Sequence, residues 1–356
     1  MRFDNIQKSY DGRVSVVGDL SLAVARSEFL TLLGPSGSGK TTCLMMLAGF
    51  EAATGGEIYL DGRPINNLPP HKRGIGMVFQ NYALFPHLTV AENLAFPLRV
   101  RRMERAEIRS RVEKVLSMVR LDGFGDRRPQ QLSGGQQQRV AVARALIFDP
   151  VLILMDEPLG ALDKQLREQM QYEIKSLQKR LGVTVVYVTH DQSEALSMSD
   201  RIAVFHRGAI RQIAAPEVLY ERPQSAFVAR FIGENNTLVG TVRMNSAGRC
   251  QVEMPGGGMV HALPVKVAGI GCETTLSLRP ERIAVGASRG QFPNMATASV
   301  RELTYLGDHV RARLALFGAE DFIVKLQNGV SGKSLEVGDD VELGWRIEDC
   351  HALDTE

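Results

Sequence analysis

The sequence predicts an α/β domain on a mostly parallel sheet, with a helical segment inserted into it and a separate all-β domain after it. Three apolar runs predict the sheet: Phe29-Leu30-Thr31-Leu32-Leu33, Val151-Leu152-Ile153-Leu154-Met155 and Val183-Thr184-Val185-Val186-Tyr187-Val188-Thr189. Near-continuous apolar strands separated by long helical crossovers belong to parallel sheets covered on both faces. All three runs end on residues suited to chemistry, and such sheets collect ligands at the carboxyl ends of their strands.

The first run enters Gly34-Pro35-Ser36-Gly37-Ser38-Gly39-Lys40-Thr41, and Thr42 to Ala48 continue with helix-compatible residues until Gly49. This strand, loop and helix is the context that turns the pattern G-x-x-x-x-G-K-[ST] into a phosphate loop rather than a plain glycine-rich turn. Gly37 and Gly39 let the backbone wrap phosphate oxygens at a helix N-terminus, Lys40 reaches the β- and γ-phosphates, and Thr41 offers a hydroxyl to Mg²⁺. The expected ligand is therefore the phosphate chain of a nucleotide with Mg²⁺.

Between Gln80 and Leu132 the texture changes. From Glu104 to Val119 charges alternate with Ile108, Val112, Val115, Leu116 and Val119 at helical spacing, which predicts an inserted helical subdomain over about residues 85–150. Residues 81–90, Asn-Tyr-Ala-Leu-Phe-Pro-His-Leu-Thr-Val, are apolar and aromatic for a loop; they suit either the core or a surface that receives a partner. Leu132-Ser133-Gly134-Gly135-Gln136 then places two glycines where a helix can begin, a second anion-binding arrangement.

The second run leads into Asp156 and Glu157. A carboxylate at the end of a buried strand suits the metal shell, and its neighbour is placed to orient or deprotonate an attacking water. The third run ends at His190, which could serve a γ-phosphate or the attacking water, although a lone histidine at a strand end is more often structural. From Glu234 onward short alternating runs, such as Val310-Arg311-Ala312-Arg313-Leu314 and Phe322-Ile323-Val324-Lys325-Leu326, are separated by turn-forming stretches at 255–258 and 338–340, as in an all-β domain.

Bulk properties exclude other classes. The 356 residues carry 42 basic and 40 acidic side chains, a formal net charge of +2, so no broad electropositive face predicts nucleic acid as a partner. The longest apolar runs fall far short of the roughly 18 residues a membrane span needs. The amino-terminal residues hold an acid and no apolar h-region, which predicts a chain that stays in the cytosol. Cys43, Cys250, Cys272 and Cys350 have neither zinc-site nor disulfide-framework spacing.

In order and interval, residues 34–41, Gln80, 132–136, Asp156, Glu157, Asp163 and His190 resemble the ATP-binding subunit of an ABC transporter, over about residues 1–234. The resemblance implies a P-loop NTPase (RecA-like) core. It makes Glu157, His190 and Lys40 the catalytic set, Thr41, Gln80 and Asp156 the magnesium set, and Tyr10 the aromatic that stacks on adenine; read alone, Tyr10 equally suits a packing tyrosine. It further implies that Ser133, Gly134, Gly135, Gln136 and Asp163 of one copy serve the nucleotide of a second copy. Gly160 stands where the family more often has serine, so a hydroxyl hydrogen bond there is missing. Residues 235–356 resemble an OB-like TOBE domain, through Leu278-Arg279-Pro280-Glu281 and Tyr305-Leu306-Gly307.

Partners implied by the resemblance are two membrane-spanning permease subunits, a second copy of the chain and an extracytoplasmic substrate-binding protein, at the cytoplasmic face of the inner membrane. The neighbourhood of residues 81–90 would receive a short helix of the permease. A chromosome-maintenance ATPase would place long coiled coils between Lys40 and Leu132, where no sustained heptads occur, and a ribosome-acting factor would carry two motif sets. With Phe231-Ile232-Gly233-Glu234-Asn235-Asn236 entering the β domain, the chain most resembles ATPases of spermidine/putrescine importers, with ferric-iron and sugar importers next.

Overall fold

Alternating burial along Arg2–Ser9 (β1) and Ser15–Ala23 (β2) pairs them antiparallel, with Phe3, Ile6, Val17, Leu20 and Leu22 facing inward. Phe29–Leu33 (β3) is buried at every position, as a strand covered on both faces must be. It feeds residues 34–39 and helix Lys40–Ala48 (α1). Gly55–Leu60 (β4) and Arg63–Pro64 (β5) complete a four-stranded sheet of order β2-β1-β4-β5. This antiparallel sheet was not anticipated, because its strands alternate polar and apolar residues without an apolar run. The computed structural model describes residues 1–327 and 335–355.

The second sheet contains β3, Ile75–Val78 (β6), Leu152–Asp156 (β7), Thr184–Thr189 (β8), Arg201–His206 (β9) and Ala209–Ala214 (β10), in the order β10-β9-β3-β8-β7-β6. All neighbours are parallel except β10 on β9. Alternation sorts its side chains: Leu30, Leu32, Leu152, Leu154, Val186 and Val188 join α1 and the antiparallel sheet in one core, and Phe29, Ile153, Met155, Val185 and Tyr187 form another on the opposite face. The second strand begins one residue later than its apolar run, since Val151 is half exposed, and Asp156 belongs to the strand itself.

Helices Val90–Val100 (α2), Arg105–Met118 (α3) and Gly134–Leu146 (α4) lie between β6 and β7. Val90, Leu94, Leu98, Ile108, Val112, Leu132 and Val140 give them a core of their own. Within residues 81–90 Tyr82 and Val90 are buried, Leu84 and Phe85 half-buried and His87 exposed, so this segment is partly core and partly surface. Lys164–Leu181 (α5) and Gln192–Met198 (α6) flank β8. Among the described residues no helix is long and apolar enough to cross a membrane.

The chain divides into two compact units, Met1–Pro216 and Glu217–Glu356. The division falls earlier than the change of texture at Glu234. Helices Pro216–Glu221 (α7) and Ala226–Phe231 (α8) carry the reason, for Ala226 and Ala229 pack on Leu353, and Arg279 donates to the carbonyls of Tyr220, Ala229, Ile232 and Glu234 at 3.0, 3.3, 2.6 and 3.1 Å. In the second unit follow Asn236–Ser246 (β11), Arg249–Glu253 (β12), Met259–Pro264 (β13), Glu273–Leu278 (β14), Ala284–Val285 (β15), Asn294–Tyr305 (β16), His309–Leu316 (β17), Ala319–Gln327 (β18), Asp340–Trp345 (β19) and Cys350–Leu353 (β20). Strands β11-β12-β13-β20-β14 close a five-stranded barrel, and β15-β19-β16-β17-β18 form a second sheet, so the expected OB-like all-β domain is present. The four cysteines are free.

Candidate nucleotide site

The loop between β3 and α1 has a backbone that only glycine permits at two points. A Cβ on Gly34 would lie 2.4 Å from the carbonyl oxygen of Phe205, and Gly39 has φ 101° with Val16 O 2.8 Å from where its Cβ would be. Pro35, Ser36 and Gly37 are exposed at the loop tip, and Ser38 is buried beneath it. Gly39 caps α1 with no side chain and no acid stands in the first turn, leaving the helix N-terminus open to an anion. Thr42 lies half-buried in that turn.

Lys40 folds back over this loop. Its Nζ donates to Gly34 O at 2.8 Å and Pro35 O at 2.9 Å, and reaches Ser38 Oγ at 3.4 Å. Burial pushes its pKa down, against the opposing fields of Glu157 and Asp156. A cation held on neutral carbonyls at the mouth of an anion-binding turn is ready to exchange them for phosphate oxygens.

Asp156, at the end of β7, accepts from Thr41 Oγ1 at 3.1 Å. Burial raises its pKa above the ordinary carboxylate value, while the Thr41 hydrogen bond opposes the shift. Glu157 has φ 44°, a left-handed conformation costly for a side chain with a Cβ, and its N–H donates to Val188 O at 2.9 Å. That turn sends the Glu157 carboxylate between two partners: His190 Nδ1 lies 3.1 Å from Oε1, and Gln80 Nε2 lies 3.4 Å from Oε2. A cleft of about 110 Å³ opens beside them, also lined by Gly160, Arg167 and Thr189. The structure thus brings Gln80, Glu157 and His190 together from three separate strand ends.

Sequence reasoning missed the support behind His190. Glu194, 3% exposed, accepts from Tyr187 Oη and Thr189 Oγ1, both at 2.7 Å, and burial raises its pKa. Asp191 caps α6 by accepting from Ser193 N at 2.8 Å and takes Arg167 Nη1 at 3.1 Å; although burial raises its pKa, these bonds hold it below the ordinary value. Arg167 also donates to Leu162 O at 3.0 Å, tying the 159–163 loop to α6. The signal was Asp191 preceding Glu194 by three residues, a helix-start spacing.

Ser133 caps α4 in a reciprocal box: Gln136 N donates to Ser133 Oγ at 3.4 Å and Ser133 N to Gln136 Oε1 at 3.0 Å. Gly134 and Gly135 lie against Leu162 and Leu166, where a Cβ would come within 3.3 and 3.0 Å. Asp163 caps α5, accepting from Leu166 N at 2.9 Å. Within one chain the bonds of Ser133 and Gln136 stay in their own helix start and those of Lys40 in its own loop. Tyr10 is 62% exposed with Lys8 Nζ 4.6 Å from its ring centre, so its ring lies outside the core.

The ABC transporter family profile matches residues 17–160, and the TOBE domain profile matches residues 276–353. A spermidine/putrescine import ATP-binding protein, PotA, of Pseudomonas aeruginosa is 48% identical over 96% of this chain and 95% of its own length. Its namesake from Rubrobacter xylanophilus is 45% identical over 99% of this chain and 93% of its own. Among solved structures, a dimeric post-hydrolysis state of the ATP-binding cassette MJ0796 bound to ADP and Pi aligns at TM-score 0.54 and 36% identity, covering 60% of this chain and 98% of that one. With such identity along nearly its whole length, and the family profile lying over residues 34–41, Gln80, residues 133–136, Asp156 and Glu157, the chain belongs to the ABC transporter family as one of its ATP-hydrolysing subunits.

Proposed function

We propose that this chain drives the import of spermidine- or putrescine-like polyamines, and that the Glu157 carboxylate, set between His190 and Gln80, is where ATP is hydrolysed. The geometry around Glu157 carries the catalytic reading; the names of the relatives carry the substrate. Lys40 exchanges Gly34 and Pro35 carbonyls for β- and γ-phosphate oxygens, and the open start of α1 holds the same phosphates. Tyr10 stacks on adenine. Glu157 accepts the proton of the attacking water at a carboxylate oxygen, and His190 and Gln80 fix that carboxylate and the water in line with the γ-phosphate.

The residues present fit Mg²⁺. Thr41 Oγ1 and Asp156 Oδ1 are hard oxygen donors already in contact, as suits a metal that would complete its shell with phosphate and water oxygens. When bound, Mg²⁺ neutralises charge on the β- and γ-phosphates.

Residues 133–136 of a second copy, with Asp163, close over the nucleotide held by Lys40, so two copies sandwich two ATPs. The neutral, capped start of α4 adds its positive dipole end to the γ-phosphate. Two permease subunits receive the motion at the cytoplasmic face of the inner membrane, and an extracytoplasmic binding protein delivers the substrate. The test is vesicle reconstitution with the neighbouring permease and binding protein. Spermidine or putrescine, loaded on the binding protein, should stimulate ATP hydrolysis several-fold. Stimulation by a sugar or ferric iron instead would reject the polyamine assignment.

A further inference from the structure

The turn after Gln80 adopts an unfavourable backbone form. Tyr82 and Ala83 have φ 62° and 47°, the left-handed region that residues with a Cβ avoid. Neither position is glycine, so surrounding groups must hold the turn. One hold is the Tyr82 ring, buried with Ala141, Val142 and Ala145 of α4. Arg144, in the last turn of the same helix, is the other. Its Nη2 donates to Tyr82 O at 2.9 Å and its Nη1 to Ala83 O at 2.8 Å, so one planar fork straps both carbonyls of the strained pair. The Phe85 ring centre lies 5.6 Å from the guanidinium carbon.

Gln80 stands two residues before this strap. It is exposed and meets Glu157 through a long 3.4 Å contact, so its aim depends on the turn that follows it. Helix α4 is 13 residues long, begins at the Ser133 cap and ends just beyond Arg144. We propose that Arg144 is a positioning residue: it keeps the 82–83 turn in the form that aims Gln80 at Glu157, and it makes Gln80 and residues 133–136 parts of one rigid body. The proposal rests on the roles of Gln80 and residues 133–136 given above. Seating residues 133–136 on the nucleotide of the second copy then sets Gln80 at the chain's own nucleotide, which couples the two sites.

The test compares ATP hydrolysis by the full chain, assembled with its permease, for Arg144→Lys, Gln80→Ala, the two combined, and Arg144→Lys with Ala83→Gly. Lysine keeps the charge and loses the fork. Arg144→Lys should lower kcat about tenfold, leave KM for ATP within about twofold and move the Hill coefficient toward unity. Ala83→Gly should restore roughly a third or more of the lost rate, because glycine takes a positive φ unaided. In the Gln80→Ala background Arg144→Lys should change kcat little. Thermal unfolding and nucleotide binding establish that each variant is folded.

Wild-type kcat and Hill coefficient in Arg144→Lys overturn the proposal, as does the absence of rescue by Ala83→Gly. If Gln80→Ala is slow and the combined losses multiply, the strap alone is refuted. If Gln80→Ala turns over at the wild-type rate, the role of Gln80 is refuted and the strap falls with it.

Discussion

The Nδ1 of His190 lies 3.1 Å from Oε1 of Glu157, a contact made possible by the left-handed turn at Glu157 and by the end of β8. The histidine fixes one carboxylate oxygen and Gln80 approaches the other, so the side chain is held from both sides. Behind the histidine, Glu194, Tyr187 and Thr189 form a buried set of hydrogen bonds that holds the loop.

Replacing Glu157 by Gln keeps the shape and removes the proposed base. ATP binding should remain within a few-fold of wild type while the hydrolysis rate falls about 10²- to 10³-fold. Equilibrium nucleotide binding and single-turnover hydrolysis separate the two effects. A variant turning over near the wild-type rate would remove Glu157 from the base role.

Lys40→Ala deletes the ammonium that Gly34 and Pro35 hold at the phosphate loop. Charge-assisted hydrogen bonds contribute about 1.5–3 kcal/mol, so ATP affinity should fall roughly 10- to 100-fold. Isothermal titration with a slowly hydrolysed ATP analogue measures it. Undiminished affinity would place the phosphates elsewhere.

Asp156→Asn should stabilise the nucleotide-free protein at neutral pH. Burial raises the folded carboxyl pKa above its ordinary 3.8, so its ionised form is less favoured in the folded than in the unfolded chain. The associated stability is full below the ordinary value and is lost as pH rises through the raised one. Asparagine still accepts from Thr41 and carries no charge, so its melting temperature should exceed wild type at pH 7, by a margin that shrinks toward pH 4. Hydrolysis should be lost, and Mg²⁺ with ATP should stabilise wild type more than the variant. A variant less stable than wild type at pH 7 without nucleotide would contradict the account of Asp156.

The parallel strands and the phosphate loop were legible because they depend on local pattern: the apolar runs ending at Leu33, Met155 and Thr189, and the glycines that precede Lys40. Glu157, too, could be picked out by its place after a buried strand. Its positive φ could not, since the turn is imposed by the bond from Glu157 N to Val188 O across two strands. Arg144 left no local trace, because its acceptors are main-chain carbonyls of a distant turn, and Arg167 left none because its carboxylate partner, Asp191, meets it only in the folded chain. The division at Pro216 was hidden for the same reason. Helices α7 and α8 are tied to the second unit by Arg279, whose bonds to their carbonyls span 50 or more residues of sequence.

Arg279 gives the last prediction. It is 5% exposed, its guanidinium has four main-chain acceptors within residues 220–234, and its carbon lies 4.1 Å from the Tyr220 ring centre. Arg279→Ala leaves several buried carbonyls unpaired at about 1–3 kcal/mol each, so the second unit should lose on the order of 3 kcal/mol after partial relaxation. Hydrogen exchange localises the effect. Amides of α7, α8 and β14 should exchange faster by about two orders of magnitude, while those of α1 and β3 stay protected. Arg279→Lys, with a point charge in place of the fork, should fall between the two. Equal acceleration in α1 and β3 would mean that Arg279 supports the whole chain, and unchanged exchange in α7 and α8 would mean that these helices are held without it.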